Sequence, residues 1–351
     1  MKILFLPNWT VVKSDTDITD LQAPDKYING KPYWFFRHFP ENTQVDVIDI
    51  QAQNRFHAIE KKIKFYVWQA ILAFKKAQQY DAVISHGAQS GLVYTFLSRF
   101  RKKEHNPLHI IIDVGSLNGG RNNRMETFFI KQALKGRPAI IYHASVQQKF
   151  YETVFKGLIN KSMFIPFGVN TEEFYPLNLP VSDYVLSFGY GGHHRLGRDY
   201  PTLLDAWKEI NTSTRLIIIG DPSIVSMDNI VSLPKTSVTI LKQYIAGSLF
   251  VVIPLPVYNF SYGQMSFLQS MSMGKPVIVT KTPSSIDYLQ DTQGVFLVNP
   301  YDKLDMKNKI EYLLARKDQL NDLGNKARKD IEIGLFDEQT MAEKIVAFMK
   351  T

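Results

Sequence analysis

Short runs of β-branched residues alternate with longer segments of helical period along this chain, and the pattern runs through twice. A strand that is always followed by a helix pairs with its successors in parallel, and the helices cover both faces of the sheet. The first series predicts strands at Lys2 to Leu6, Gln44 to Ile48, Ala82 to Ser85, His109 to Asp113 and Ala139 to Tyr142, with a long helix from about Arg55 to Gln79. The second predicts strands at Tyr184 to Phe188, Leu216 to Gly220, Asn229 to Ser232, Leu249 to Pro254, Pro276 to Thr280 and Val295 to Val298, with helices near Pro201 to Glu209 and Ser266 to Met273. Between the series stands IPFGVNTEEFYPLNLP, whose Pro, Gly and Asn read as a linker. The expected division is therefore a first α/β domain over 1–165, a linker over 166–180 and a second α/β domain over 181–335. In residues 336–351, Met341, Ile345, Val346 and Met349 recur at helical spacing and predict an amphipathic closing helix.

Composition removes several alternatives. At 351 residues the chain is long enough for two ordinary domains. It has no apolar run of the roughly 18 residues that a membrane-spanning helix needs. The opening MKILFLPNW is too short for a signal peptide and lacks a small-residue cleavage site, so it reads as a buried first strand. Cysteine is absent, which excludes disulfides and thiolate chemistry and fits a cytoplasmic chain. The net charge of +8 points to an anionic partner: nucleic acid, an anionic membrane surface or a phosphorylated substrate. No nucleic-acid-binding motif accompanies the charge, so no nucleic-acid partner is expected.

Two stretches carry chemistry. In SYGQMSFLQSMSMGKPVIVT, residues 261–280, a turn at Gly263 opens a helix, and Gly274-Lys275-Pro276 closes it before a buried strand. Unpaired amides at a helix start, here around Gly263, Gln264 and Met265, suit a phosphate, and Gln269 further along offers its amide to a ribose. The same stretch also fits an ordinary strand–helix–strand unit whose glycines only make turns. In SFGYGGHHRLGRDYPTLLDAW, residues 187–207, a strand ends in a Gly-rich loop bearing His193, His194, Arg195 and Arg198. Arginine forks beside exposed loop amides suit a diphosphate, and a solvated charged loop is the plain alternative. Adjacent histidines without a carboxylate ligand pattern make a poor metal site.

The succession of that basic loop, a strand ending IIIGD, then FVVIPL, SYGQMSFLQSMSMGKPVIVT and SSIDYLQDTQGVFLVNPYD closely resembles the C-terminal donor domain of glycosyltransferase family four, the group 1 glycosyltransferases. IPFGVNTEEFYP is similar to that family's domain junction. The resemblance covers residues 163–351. Over 1–162 it is confined to the strand pattern, YDAVISHG and the helix after IIYHASVQQKFY. It implies the GT-B fold: two Rossmann-like domains with a central donor cleft, and a closing helix that crosses back to the first. It implies retaining transfer of a sugar from a nucleotide-diphosphate sugar to an acceptor hydroxyl, on a glycan or a lipid-linked intermediate, without a metal or other cofactor.

Residue by residue, the implied catalytic groups are His86, where YDAVISHG matches a strand ending in a histidine that faces the donor sugar, together with Arg195 and Arg198. The implied donor-binding residues are Gly189, Tyr190, Ser261, Tyr262, Gly263, Gln264, Met265 and Gln269. The chain departs from the family in several places. Its two glutamates, eight positions apart, are here Ser261 and Gln269. Tyr190 and Arg198 stand where the family has its diphosphate-binding Arg and Lys, with Arg195 as replacement for the lost Arg. The glycine pair after the first strand is replaced by PNWTVVK. No Asp or Glu is well placed for a covalent intermediate, Asp113 at a strand end being the exception, so retention implies front-face attack. The neutral Ser261 and Gln269 make a non-catalytic partner subunit of the same fold the competing reading.

Residues 55–76, RFHAIEKKIKFYVWQAILAFKK, mix Lys61, Lys62, Lys64, Lys75 and Lys76 with Phe65, Trp68, Leu72 and Phe74. A basic helix with aromatics is the pattern of an interfacial membrane binder. A helix packed on the first sheet with its lysines in water has the same pattern. The membrane alternative makes the chain peripheral at the inner face of the membrane.

Overall fold

The apolar runs become parallel strands, most of them covered on both faces, and this is why they read as continuous hydrophobic stretches. The computed structural model describes the chain except residues 17, 19, 29–30, 52–57, 61–64, 103–105, 118–123, 190–196 and 290–293. It divides into two compact units. One comprises Met1–Pro166, Asn259–Ser261 and Met341–Thr351; the other comprises Phe167–Tyr258 and Tyr262–Thr340.

The main sheet of the first unit uses β1 (Lys2–Pro7), β5 (Gln44–Val47), β6 (Ala82–His86), β7 (Leu108–Asp113), β8 (Ala139–Tyr142) and β9 (Lys161–Phe164) in the order β5-β1-β6-β7-β8-β9, all pairs parallel. Three short strands, β2 (Val12–Ser14), β3 (Lys26–Ile28) and β4 (Lys31–Pro32), form a separate sheet. The helices are α1 (Val67–Lys76), α2 (Ala88–Ser98), α3 (Arg124–Leu134) and α4 (Gln147–Val154). One face of the sheet buries Leu4, Leu6 and Val83 against Ala70, Ala73 and Ala77 of α1 and the turn after it. Further along the same face, Ile111 and Ile140 pack against Leu92, Leu134 and Tyr151.

The second unit has β10 (Tyr184–Phe188), β11 (Arg215–Ile219), β12 (Ile230–Leu233), β13 (Val251–Ile253), β14 (Val277–Thr280) and β15 (Val295–Val298), again all parallel, in the order β12-β11-β10-β13-β14-β15. Its helices are α5 (Tyr200–Lys208), α6 (Val238–Gly247), α7 (Gln264–Ser272), α8 (Lys303–Leu314) and α9 (Leu320–Gly334), and α10 (Glu338–Lys350) ends the chain. Side chains alternate strictly between two cores. Leu186, Ile217, Val251 and Val277 pack with Phe267, Met271 and Ile331, whereas Val185, Leu216, Val252 and Ile278 pack with Leu203, Trp207 and Ile310.

Several elements differ from the sequence expectation, the small sheet of β2, β3 and β4 among them. The helix predicted from Arg55 to Gln79 is interrupted, because Phe65 and Tyr66 are not helical and α1 starts only at Val67. Buried Glu60 gives the physical reason: its carboxylate accepts the amide of Trp68 at 2.8 Å, satisfying a free N–H of the first turn of α1. Strand β9 was not anticipated. It lies at the sheet edge, where Ser162 and Met163 are exposed, and so lacks the apolar signature of its neighbours. The Pro- and Gly-rich stretch after Pro166 is tied down in the second unit. Val169 exchanges backbone bonds with Phe336 and Glu338, and Phe174 is buried.

Candidate functional site

In an open parallel sheet, ligands bind beyond the carboxyl ends of the strands where the strand order reverses. In the second unit this point lies between β10 and β13. Gly189 follows β10 directly with φ 130°, and a Cβ there would strike the guanidinium of Arg198. Gly263 caps α7 in the left-handed region at φ 88°, and a Cβ there would meet Leu255 at 2.6 Å and Arg198 Nη1 at 3.1 Å. The Arg198 side chain thus occupies the gap that two glycines leave open.

Its bonding is incomplete. Nη2 donates to Ser266 Oγ in the first turn of α7 at 2.5 Å, and the guanidinium lies 5.3 Å from the centre of the Tyr262 ring. Nε and Nη1 are shielded from solvent and have no hydrogen-bond partner among the described residues. A half-buried guanidinium with two shielded donors to spare, beside the start of a helix, has the chemistry that suits an anion. Tyr262 stands edge-on to Tyr258 at 5.2 Å, and burial pushes its phenol above the usual range. A cavity of about 510 Å³ runs from Gly197 and Arg198 along α5 to Lys208, walled opposite by Asp221, Ile224 and Met227.

Of the residues expected at the donor site, the structure brings together Gly189, Arg198, Tyr262, Gly263 and the first turn of α7, which holds Gln264 and Met265. Gln269 is on α7 and 4% exposed. Ser261 precedes Tyr262 and is half-buried. Tyr190, His193, His194 and Arg195 lie outside the described residues. Ser266 was missed by sequence reasoning. A serine one turn into a helix carries no signal until the arginine that it meets is known.

In the first unit the reversal lies between β1 and β6. His86 ends β6 opposite Pro7 of β1, with the Trp9 ring 4.9 Å and the Trp34 ring 5.2 Å away. It is 9% exposed, and its Nδ1 is buried without a hydrogen-bond partner among the described residues. Burial, reinforced by nearby His143, lowers its pKa to about 3, so the imidazole is neutral at physiological pH. Neither tryptophan was singled out in the sequence, where PNWTVVK reads only as a missing glycine pair.

Asp113 ends β7 fully buried. Its Oδ1 accepts the amides of Gly115, Ser116 and Leu117, and its Oδ2 accepts the Tyr151 hydroxyl at 2.6 Å and the Gln147 amide at 3.3 Å. Both oxygens hold the following turn and α4 in place. Among the described residues no three His, Asp or Glu side chains converge as a metal site.

Residues 189–316 match the family model of the glycosyl transferases group 1. No curated protein matches the chain. Among solved structures, sucrose-phosphate synthase from Thermosynechococcus elongatus superposes with a TM-score of 0.72 at 16% identity, over 100% of this chain and 98% of that one. The Anabaena protein HepE, solved with UDP and glucose, superposes with a TM-score of 0.70 at 13% identity over the whole of both chains. A glycosyltransferase from Rickettsia africae gives 0.69 at 14% identity, over 99% and 97%. The full-length superpositions establish the fold, and it is the GT-B fold.

Proposed function

We propose that this chain, which carries a group 1 glycosyl transferase domain on a GT-B fold, moves a sugar from a nucleotide-diphosphate sugar to an acceptor hydroxyl. The observation that carries the reading is Arg198, whose guanidinium is set between Gly189 and Gly263 with Nε and Nη1 unpartnered. A diphosphate placed there accepts from both nitrogens and lies at the positive end of the α7 dipole. HepE is solved with UDP and with UDP-glucose, so a uridine diphosphate sugar is the first donor to test.

In the proposed reaction the bond between the anomeric carbon and the β-phosphate oxygen breaks, and its electron pair leaves with the diphosphate. Arg198 and the start of α7 stabilise the charge that develops, so no divalent cation is called for. The acceptor oxygen bonds to the anomeric carbon on the face just vacated, and its proton passes to the departing phosphate oxygen. The configuration is retained without a carboxylate nucleophile, in keeping with both Asp113 oxygens holding the following turn and α4. Neutral His86, with Nδ1 unpartnered, is assigned a hydrogen bond to a sugar hydroxyl rather than a charge-stabilising role. The acceptor is proposed to be a glycan or a lipid-linked intermediate.

The test is calorimetry and UDP release with a panel of nucleotide sugars. Binding with UDP release that rises on adding acceptor supports the reading. Binding without release under any acceptor favours the non-catalytic partner subunit suggested by Ser261 and Gln269. No binding of any nucleotide sugar removes the reading.

A further inference from the structure

The first unit presents an apolar face that its own core does not use. Phe96 on α2, Phe100 just beyond it, and Met125, Phe128 and Phe129 on α3 are between 40% and 73% exposed. The rings pair edge to face, Phe96 with Phe100 at 5.6 Å and Phe128 with Phe129 at 5.8 Å. Between the two helices runs a groove of about 500 Å³, floored by Leu92, Ile130 and Ala133 and rimmed by Phe65, Phe96 and Phe129. Solvent-exposed aromatics clustered around an apolar groove mark an interaction site.

The charge around the groove identifies the partner. Arg99 lies over the Phe96 ring at 5.5 Å and donates to the Gln132 carbonyl at 3.2 Å, joining the end of α2 to α3. Arg99, Lys102, Arg124 and Lys135 are exposed, and none forms an ion pair with a described residue. Across residues 96–137 the sequence holds nine Lys and Arg against three Asp and Glu, and Asp113 among the latter is buried. Uncompensated cations around projecting phenylalanines match a surface with negative charge outside and hydrocarbon beneath.

We propose that the α2–α3 face docks on an anionic lipid surface, with Phe100, Phe128 and Phe129 entering the acyl boundary and Arg99, Lys102 and Arg124 at headgroup level. The inference does not depend on the transferase reading. It also differs from the membrane contact expected of residues 55–76, since Leu72 and Phe74 of α1 pack against the core and Arg101 covers the Phe74 ring at 4.2 Å.

The absence of cysteine makes site-specific labelling direct. Phe128→Cys carrying an environment-sensitive nitrobenzoxadiazole group reports on the face. The same label on Val225→Cys, a position 77% exposed in the second unit, serves as control. Vesicles of phosphatidylglycerol and phosphatidylcholine are compared with phosphatidylcholine alone. Expected are a brightened, blue-shifted emission at position 128 with the anionic vesicles only, a silent control, and weakening as salt is raised. The double changes Phe100→Ser with Phe129→Ser, and Arg99→Glu with Arg124→Glu, should each lower the vesicle-bound fraction of unlabelled protein at least tenfold at unchanged circular dichroism. No emission change at position 128 with anionic vesicles at low salt overturns the proposal. So does an equal response at both positions, or a response without lipid that grows with protein concentration, which would place a second copy on the face.

Discussion

Arg198 is one turn of chain away from a loop of alternatives, and only the fold singles it out. From the sequence, Arg195 and Arg198 serve a diphosphate equally well; the structure shows Arg198 reaching Ser266, 68 residues away, through a gap between two glycines. Replacing Arg198 with Ala removes a charged donor pair, so donor affinity should fall by roughly 1.5–3 kcal/mol, the usual worth of a hydrogen bond to a charged group. Calorimetry with the wild-type donor checks it, and an unchanged affinity would take Arg198 out of the site. Its orphan nitrogens were invisible in the sequence, because being unpartnered is a property of everything around a residue. The same holds for His86. YDAVISHG reveals the strand that ends in the histidine, but Trp9 and Trp34 arrive from segments with no helical or strand periodicity to announce them.

At the scale of elements, strands covered on both faces were legible because burial on two sides demands unbroken apolar runs, as in LIII of β11. Strand β9 was not, since an edge strand with solvent on one flank has no such demand. The α1 boundary was not either: RFHAIEKKIKFYVWQAILAFKK keeps a helical period straight through Phe65 and Tyr66, and the break depends on where the Glu60 carboxylate folds. The turn into α7 was readable from its glycine, and its geometry makes a sharp prediction. At φ 88°, Gly263→Ala forces a left-handed alanine, costing about 1–2 kcal/mol, and also presses a methyl group on Leu255 and towards Arg198 Nη1. Urea unfolding should show that loss of stability, and calorimetry should show weaker donor binding in the same variant. An alanine variant with the wild-type stability would mean that the turn adopts another conformation.

For the molecule as a whole, two outcomes follow from charge. Burial lowers the pKa of His86 and His109 to about 3 and that of His143 to about 4, against 6.5 in the unfolded chain. Below pH 6.5 the unfolded chain therefore binds more protons than the folded one, so stability is full above that pH and declines as pH falls towards 4. The slope for three such groups is at most roughly 4 kcal/mol per pH unit. Urea midpoints at pH 7 and pH 5 check this; equal midpoints would show that protons reach these imidazoles in the folded state. On the arrangement proposed above, turnover should survive EDTA, because Arg198 and the start of α7 would carry the diphosphate charge. Abolition by EDTA with rescue by manganese or magnesium would refute that arrangement. The spare donors of Arg198 have one more effect, on how long the protein lasts in a cell. Two shielded donors without an acceptor weaken the folded state, and occupancy would relieve it. Copies starved of ligand would open more often and be degraded sooner, so the protein's abundance would follow the supply of its donor even at constant synthesis.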